Sequence, residues 1–191
     1  MAHHYRVAAL VGSTSTTSRT LALTQAIVQA LSERVAIDVA YLELSRLGPQ
    51  FGSATSHASL GDEARAALRT IETADLLIAA SPVYKGSYTG LFKHVVDFLD
   101  TEGLVNRPVL LAATGGGQRH ALVVEHQLRP LFSFFRAQTV PTGVYASEAE
   151  LEGYQVSSAV LQARIDEAAA QAALLLHASH AHAAEALLSF A

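Results

Sequence analysis

Apolar runs of strand length alternate with segments of helical periodicity along the chain. The predicted strands are 5–11, 35–42, 75–81, 108–114 and 139–145. The predicted helices are 19–33, 61–73, 88–100, 119–136 and 157–178. This alternation predicts a parallel sheet with helices on both faces. The uninterrupted apolar runs 76–80 and 109–113 are typical of central strands, whereas Asp38 and Glu43 place the second strand nearer an edge.

Five strands and five helices fit a single flavodoxin-like α/β domain, a doubly wound five-stranded parallel sheet of order 2-1-3-4-5. We assign residues 1–176 to this domain and 177–191 to an Ala- and His-rich tail. Such sheets bind ligands at the carboxyl ends of strands, near the switch between strands one and three. The loops after strands one, three and four should therefore carry the ligand chemistry. The segment 45–62 is predicted to be a loop, serving as a mobile lid or a dimer contact, or else forming a disordered surface loop.

Composition narrows the class of protein. The chain has 191 residues, half of them hydrophobic, and a net charge of −4, which argues for a globular protein and against a nucleic-acid partner. We expect no membrane span and no signal peptide. The absence of cysteine excludes disulfides and thiolate chemistry, so we expect a cytoplasmic location, no metal site, and a bound cofactor for any redox role.

The loop after the first strand combines Gly12 with an unbroken run of Ser and Thr from 13 to 18, followed by Arg19. It precedes a predicted helix, whose free N–H groups and positive dipole end attract anions. The three spaced glycines of a dinucleotide fold and the lysine of a P-loop are both missing. The pattern suits a terminal monophosphate such as that of FMN, and an ordinary helix cap is the structural alternative.

Two further loops follow the third and fourth strands. In the segment 81–90, Pro82 favours an extended backbone, Tyr84 offers an aromatic face, and Gly86 permits close approach of the backbone to a ligand. The run Gly115–Gly117 leaves backbone N–H groups free to donate to a flat ring such as a flavin. The alternative for the segment 81–90 is a structural turn with Tyr84 in the core. The alternative for Gly115–Gly117 is a flexible glycine turn.

Pro130 lies inside the predicted helix 119–136. It has no N–H to donate to the carbonyl of His126, and its ring presses on that carbonyl. A kink or π-bulge near 124–129 is therefore expected. The alternative is a surface or core histidine beside a simple proline kink.

Together these segments resemble the NAD(P)H-dependent FMN reductases, and within them the reductase components of two-component alkanesulfonate and methanesulfonate monooxygenases. The resemblance rests on residues 12–19, 81–93 with Asp97, 114–116 and 121–131. It implies that FMN binds as a substrate or loosely held group, that NADH or NADPH passes a hydride to it by stacking, and that no side chain serves as a dedicated catalyst. It also implies a homodimer or homotetramer that supplies reduced FMN to an FMNH2-dependent monooxygenase.

The resemblance also implies site residues. Those that would contact the FMN phosphate are Ser13, Ser15, Ser18, Arg19 and Thr20. Those that would line the ribityl chain and the ring are Pro82, Val83, Tyr84, Lys85 and Gly86. Those on the pyrimidine side would be Thr114, Gly115, Gly116 and Gly117. His126 would occupy the inserted position of a π-helix at a subunit interface and weaken flavin retention.

Two other functions remain open from the sequence. One is a quinone or azo-dye reductase that keeps its FMN, and the other is a flavodoxin-like electron carrier, which the balanced charge disfavours. The choice between NADH and NADPH and the substrate of the partner oxygenase are also open. His177, His180 and His182 are expected to lie on a solvated helix end.

Overall fold

The computed structural model describes residues 3–188, with side chains up to residue 181. Its strands are β1 Tyr5–Val11, β2 Ile37–Glu43, β3 Leu76–Pro82, β4 Pro108–Gly115, β5 Gln138–Thr139, β6 Val144–Ser147, β7 Leu151–Glu152 and β8 Gln155–Val156. Its helices are α1 Arg19–Ser32, α2 Leu44–Phe51, α3 Asp62–Thr73, α4 Gly90–Val96, α5 Arg129–Phe134 and α6 Ala159–Leu188. A π-helix spans Val124–Leu128.

The main sheet is parallel and has the predicted order β2-β1-β3-β4-β5. Residues of β1, β3 and β4 are almost all buried, because helices cover both faces. Val11 lies opposite Ala80, and Pro82 lies opposite Thr114. The three central strands therefore end at one edge, which brings their following loops together.

The fifth position of the sheet is split, so the prediction of one strand over 139–145 was wrong. Both β5 and β6 pair with β4, and residues 140–143 interrupt them. Pro141 within this interruption has no N–H for a sheet ladder. Arg164 Nε donates to the Gly143 carbonyl at 2.7 Å, and the Gln171 amide oxygen accepts from the Thr142 N–H at 2.8 Å. These two contacts from α6 hold the interruption against the sheet.

The segment 45–62 was predicted to be a loop, but it contains helical elements. It contains most of α2 and a 3₁₀ turn at His57–Ser59, and Gly48 and Pro49 lie inside α2. Leu44, Gly48 and Phe51 are buried on one helical face. A Cβ on Gly48 would lie 2.8 Å from Leu91 Cδ2, so this glycine permits α2 to pack closely on α4. Its packing outweighs the helix-breaking signals of the sequence.

Other helix boundaries also differ from the predictions. The helix predicted at 88–100 is only α4, followed by turns, and 119–136 is divided into a 3₁₀ turn, the π-helix and α5. Helix α6 continues past 178 to Leu188. His177 and His180 are exposed, and their rings lie 5.9 and 6.1 Å from that of Tyr5. The side chain of His182 and residues 189–191 lie outside the described part of the chain.

Within residues 3–188, no helix combines the length and apolar character needed to cross a lipid bilayer.

Candidate active site

An open cavity of about 280 Å³ lies at the edge where β1, β3 and β4 end. It joins the first loop (12–18), the second loop (83–89) and the third loop (115–117). The predicted site residues that line it are Ser13, Ser15, Ser18, Arg19, Thr20, Pro82, Val83, Tyr84, Thr114, Gly115 and Gly116. Lys85, Gly86 and Gly117 adjoin these in sequence. A larger cavity of about 690 Å³ lies at the opposite, amino-terminal edge, which is not where parallel α/β sheets place ligands.

The first loop presents a helix N-terminus to the cavity. Ser18 is the N-cap of α1, and its Oγ accepts a hydrogen bond from the Leu21 N–H at 3.1 Å. Ser13 Oγ accepts from the Ser15 N–H at 3.2 Å and fixes the turn that precedes it. The first turn of α1 contains no acidic residue. Its dipole therefore favours an anion in the cavity.

Arg19 adds a cation at the same end. Its Nη2 lies 2.5 Å from Glu148 Oε1, and both side chains are about half exposed. Glu148 and Tyr154 line the cavity but were missed by sequence reasoning, because the segment after β6 carries no recognisable motif. Their one available signal was topological, since β6 ends at the same edge as β4.

Thr20 differs from the other hydroxyl residues. It is 1% exposed, and its Oγ1 lies 2.7 Å from Thr114 Oγ1 in a buried hydrogen bond. This bond connects the start of α1 to the end of β4. Thr20 and Thr114 therefore fix the distance between the first and third loops.

The second loop is a tight hairpin. Tyr84 N–H donates to the Ser87 carbonyl at 2.9 Å, and Ser87 N–H donates back at 3.2 Å. The two residues between them, Lys85 and Gly86, have φ of 53° and 86°, which a two-residue turn of this kind requires. Tyr84 is 53% exposed, so the alternative that places it in the core is wrong.

Thr89 joins the second loop to the first. Its Oγ1 donates to the Gly12 carbonyl at 3.0 Å and accepts from the Phe92 N–H at 3.2 Å as the N-cap of α4. A Cβ on Gly12 would lie 2.8 Å from Phe92 Cδ2. Both contacts hold the loops in fixed relative positions.

The third loop presents bare backbone. A Cβ on Gly115 would lie 2.4 Å from Tyr145 Oη, which donates to the Gly117 carbonyl at 2.7 Å. Burial raises the pKa of Tyr145 above its usual value, so this donor keeps its proton at neutral pH. A Cβ on Gly116 would meet nothing within 4 Å. Gly116 thus leaves open space where a planar ligand could lie against the chain.

The sequence profile described as "NADPH-dependent FMN reductase" matches residues 5–151, which contain all three loops. The chain belongs to this FMN reductase family. Over 175 residues it is 53% identical to the NADH-dependent FMN reductase SfnE of Pseudomonas putida, a match that covers 92% of this chain and 94% of the relative. It is 50% identical to an FMN reductase (NADPH) of Pseudomonas aeruginosa, with the same coverage.

Solved structures agree with the family assignment. An oxidoreductase from Corynebacterium diphtheriae superposes with a TM-score of 0.78 and 38% identity, covering 91% of this chain and 98% of that one. The residues of this FMN reductase also fit the cofactor. A helix N-terminus with hydroxyls and Arg19 suits a phosphate, and the open side of Gly116 suits a planar ring.

The π-helix of the reductase lies where Pro130 predicted it. It spans Val124–Leu128, and the Arg129 N–H donates to the Val124 carbonyl five residues earlier. Pro130 is the second residue of α5, and His126 is exposed on the π-helix. A Cβ on Gly143 would lie 2.4 Å from Val124 Cγ1, so the interruption between β5 and β6 packs tightly on this helix.

An ion pair holds the π-helix in place. Arg129 contacts both oxygens of Glu125, at 2.6 and 2.8 Å, and its Nη1 also donates to Thr139 Oγ1 and the Val140 carbonyl at 2.8 and 3.0 Å. The hydrogen bonds from Arg129 hold the pKa of Glu125 below its usual value. One side chain thereby joins the π-helix to the split fifth strand.

Proposed function

We propose that this FMN reductase reduces FMN with NADH or NADPH and releases the reduced flavin to an FMNH2-dependent monooxygenase. The observation that carries the proposal is the single cavity that combines the α1 N-terminus, Arg19 and the bare backbone of Gly116. The relatives named NADH-dependent and NADPH reductases support both nucleotides as donors. The resemblance to sulfonate monooxygenase systems supports a partner that removes sulfite from an organosulfonate.

The chain's own residues would bind and orient the two planar molecules. When bound, FMN supplies the ring nitrogen that accepts the hydride. The phosphate would be held by Arg19, Ser13, Ser15 and Ser18, while the buried Thr20–Thr114 bond fixes the length available to the ribityl chain. Hydride transfer between stacked rings requires proximity more than proton transfer, so no general base is assigned.

The second and third loops would hold the ring. The N–H groups next to Gly116 would donate to the pyrimidine edge, with Gly115 and Gly117 continuing the same bare backbone. Pro82, Val83 and Tyr84 would line the other side, with Lys85 and Gly86 forming the turn beyond them. Tyr84 is exposed enough to contact the flavin or the nicotinamide.

The π-helix would promote release of the flavin. The exposed apolar side chains of Leu122 and Phe134 lie on either side of it, which supports burial of this face in a cytoplasmic homodimer or homotetramer. His126 would then lie in the subunit interface beside the flavin site. A residue inserted there would keep the site incompletely closed, and FMN would leave after each turnover.

Deletion of His126 is expected to convert this protein into a flavin-retaining form. A π-turn is an α-helix with one inserted residue, so the deletion restores the ordinary helical register. The purified variant should be yellow and should contain close to one FMN per chain, measured by absorbance after desalting. The control is His126→Ala, which keeps the register and should remain largely flavin-free. Equal flavin contents in the two variants would contradict this role.

The proposed reaction is tested by steady-state oxidation of NADH and of NADPH with free FMN titrated into flavin-stripped protein. Repeating the titration with a quinone separates the two enzyme functions. A rate that saturates in free FMN without quinone supports the proposal. A rate that needs only trace FMN and depends on the quinone would replace it with a quinone reductase. FMN binding without nucleotide oxidation would favour an electron carrier.

A further inference from the structure

Two charged side chains of opposite sign line the candidate active site. Among the described residues that form the cavity wall, Arg19 is the cation and Glu148 is the anion. They contact each other at 2.5 Å, beside the hydroxyls of Ser13, Ser15 and Ser18. The side-chain charges of Arg19 and Glu148 therefore cancel each other.

The neighbouring carboxylate Glu150 is engaged differently. Its Oε2 accepts from the Ser147 N–H at 2.9 Å, from Ser147 Oγ at 2.6 Å and from Gln118 Nε2 at 2.9 Å. These bonds close the short turn that follows β6, so Glu150 is structural. Glu148, on the same turn, instead contacts Arg19.

Glu148 contacts the cation that an anionic ligand of this cavity would use. The first turn of α1 has no acidic side chain of its own, and Arg19 is the first residue of that helix. Glu148, from another part of the chain, contacts the guanidinium of this first residue. A phosphate bound at the same N-terminus would meet the same cation and the same dipole.

We propose that Glu148 is an internal competitor of the flavin phosphate: its carboxylate contacts Arg19 and must give up that contact when FMN binds. This proposal rests on the proposed function. The arriving phosphate carries a charge of about −1.5 to −2, so it also repels the carboxylate at this distance. Both effects weaken binding of phosphorylated flavins and leave the binding of the ring itself unchanged.

The competition is expected to lower the affinity for FMN by roughly tenfold, since unit charges a few ångströms apart in a solvent-exposed site interact with about that factor. For an enzyme that releases its flavin, this lower affinity has a use. A carboxylate that recaptures Arg19 as the phosphate leaves would speed dissociation, independently of the π-helix.

The test compares Glu148→Gln with the wild type by quenching of flavin fluorescence, using FMN and riboflavin as ligands. Glu148→Gln should bind FMN about tenfold more tightly and riboflavin with unchanged affinity, because riboflavin lacks the phosphate. Glu152→Gln, an exposed carboxylate in β7 close by in sequence, is the matched control and should bind both as the wild type does. Thermal melting of each variant checks that it is folded.

A second comparison tests the part played by Arg19. In an Arg19→Ala background only the repulsion between the Glu148 carboxylate and the phosphate remains, so Glu148→Gln should tighten FMN binding by a smaller factor than it does with Arg19 present. Unchanged FMN affinity in Glu148→Gln, or equal tightening of FMN and riboflavin, would overturn the role of Glu148. Failure of the wild type to bind FMN at all would instead refute the proposed function.

Discussion

Replacing Gly116 with valine is expected to abolish saturable FMN reduction in a protein that still folds. A Cβ at this position meets nothing within 4 Å, and the backbone φ of Gly116 is not in the left-handed region. The added side chain would therefore cost the fold little. It would point into open space beside the cavity, where the flavin ring is proposed to lie, and displacement of the ring by about 1 Å can cost a hundredfold in rate. The measurement is kcat/KM for FMN, which should fall by about a hundredfold or more.

Two other glycines provide controls for this variant. Gly90→Val also adds a side chain that meets nothing, but Gly90 is not part of the cavity wall, so kcat/KM should stay within about twofold. Gly115→Val forces a contact with Tyr145 and should lower the melting temperature. A wild-type kcat/KM in Gly116→Val would show that the ring does not lie against the third loop.

Arg129→Ala is expected to destabilise the protein by about 2 to 3 kcal/mol at neutral pH. Arg129 is largely buried at 22% exposure, and its removal leaves the carbonyl of Val140 and the hydroxyl of Thr139 without this donor. It also removes the bond between the π-helix and the split fifth strand. Denaturant unfolding measures the loss. Lys93→Ala, which removes a more exposed i,i+4 ion pair with Asp97, should cost less than about 0.5 kcal/mol.

The pH dependence distinguishes the ion pair from the other contacts of Arg129. The folded-state pKa of Glu125 is depressed, so its contribution to stability is complete above the unfolded pKa of a glutamate, about 4.3. That contribution is lost as the pH falls through the lower folded value. The difference in unfolding free energy between wild type and Arg129→Ala should therefore shrink under acid conditions. A difference that is constant with pH would assign the whole effect to the bonds with Thr139 and Val140.

The sheet order and the meeting of three loops were predictable because they follow from local signals. Unbroken apolar runs mark β3 and β4, and a parallel topology brings their ends together whatever the side chains. The π-helix was predictable for a similar reason, since a proline without an N–H must disturb the helix near it.

What the sequence could not predict depends on contacts between distant segments. Helix α2 forms despite Gly48 and Pro49 because Phe51 and Leu44 are buried against the rest of the fold. Glu148 reaches Arg19 from 129 positions along the chain, and Thr20 is buried by Thr114. No local pattern encodes these pairs. The sequence alone therefore could not show whether a given hydroxyl of the Ser/Thr-rich loop binds a ligand or a neighbouring side chain.

The divided fifth strand has a consequence for how copies of this chain can meet. An edge strand with a continuous row of free N–H and C=O groups can pair with the same edge of another molecule. Here β5 and β6 are two short segments, and between them Pro141 lacks a donor while Arg129 already occupies the carbonyls of Val140 and Pro141. This edge is therefore protected against strand addition, so aggregation by sheet extension is opposed there and association is directed to the helical faces.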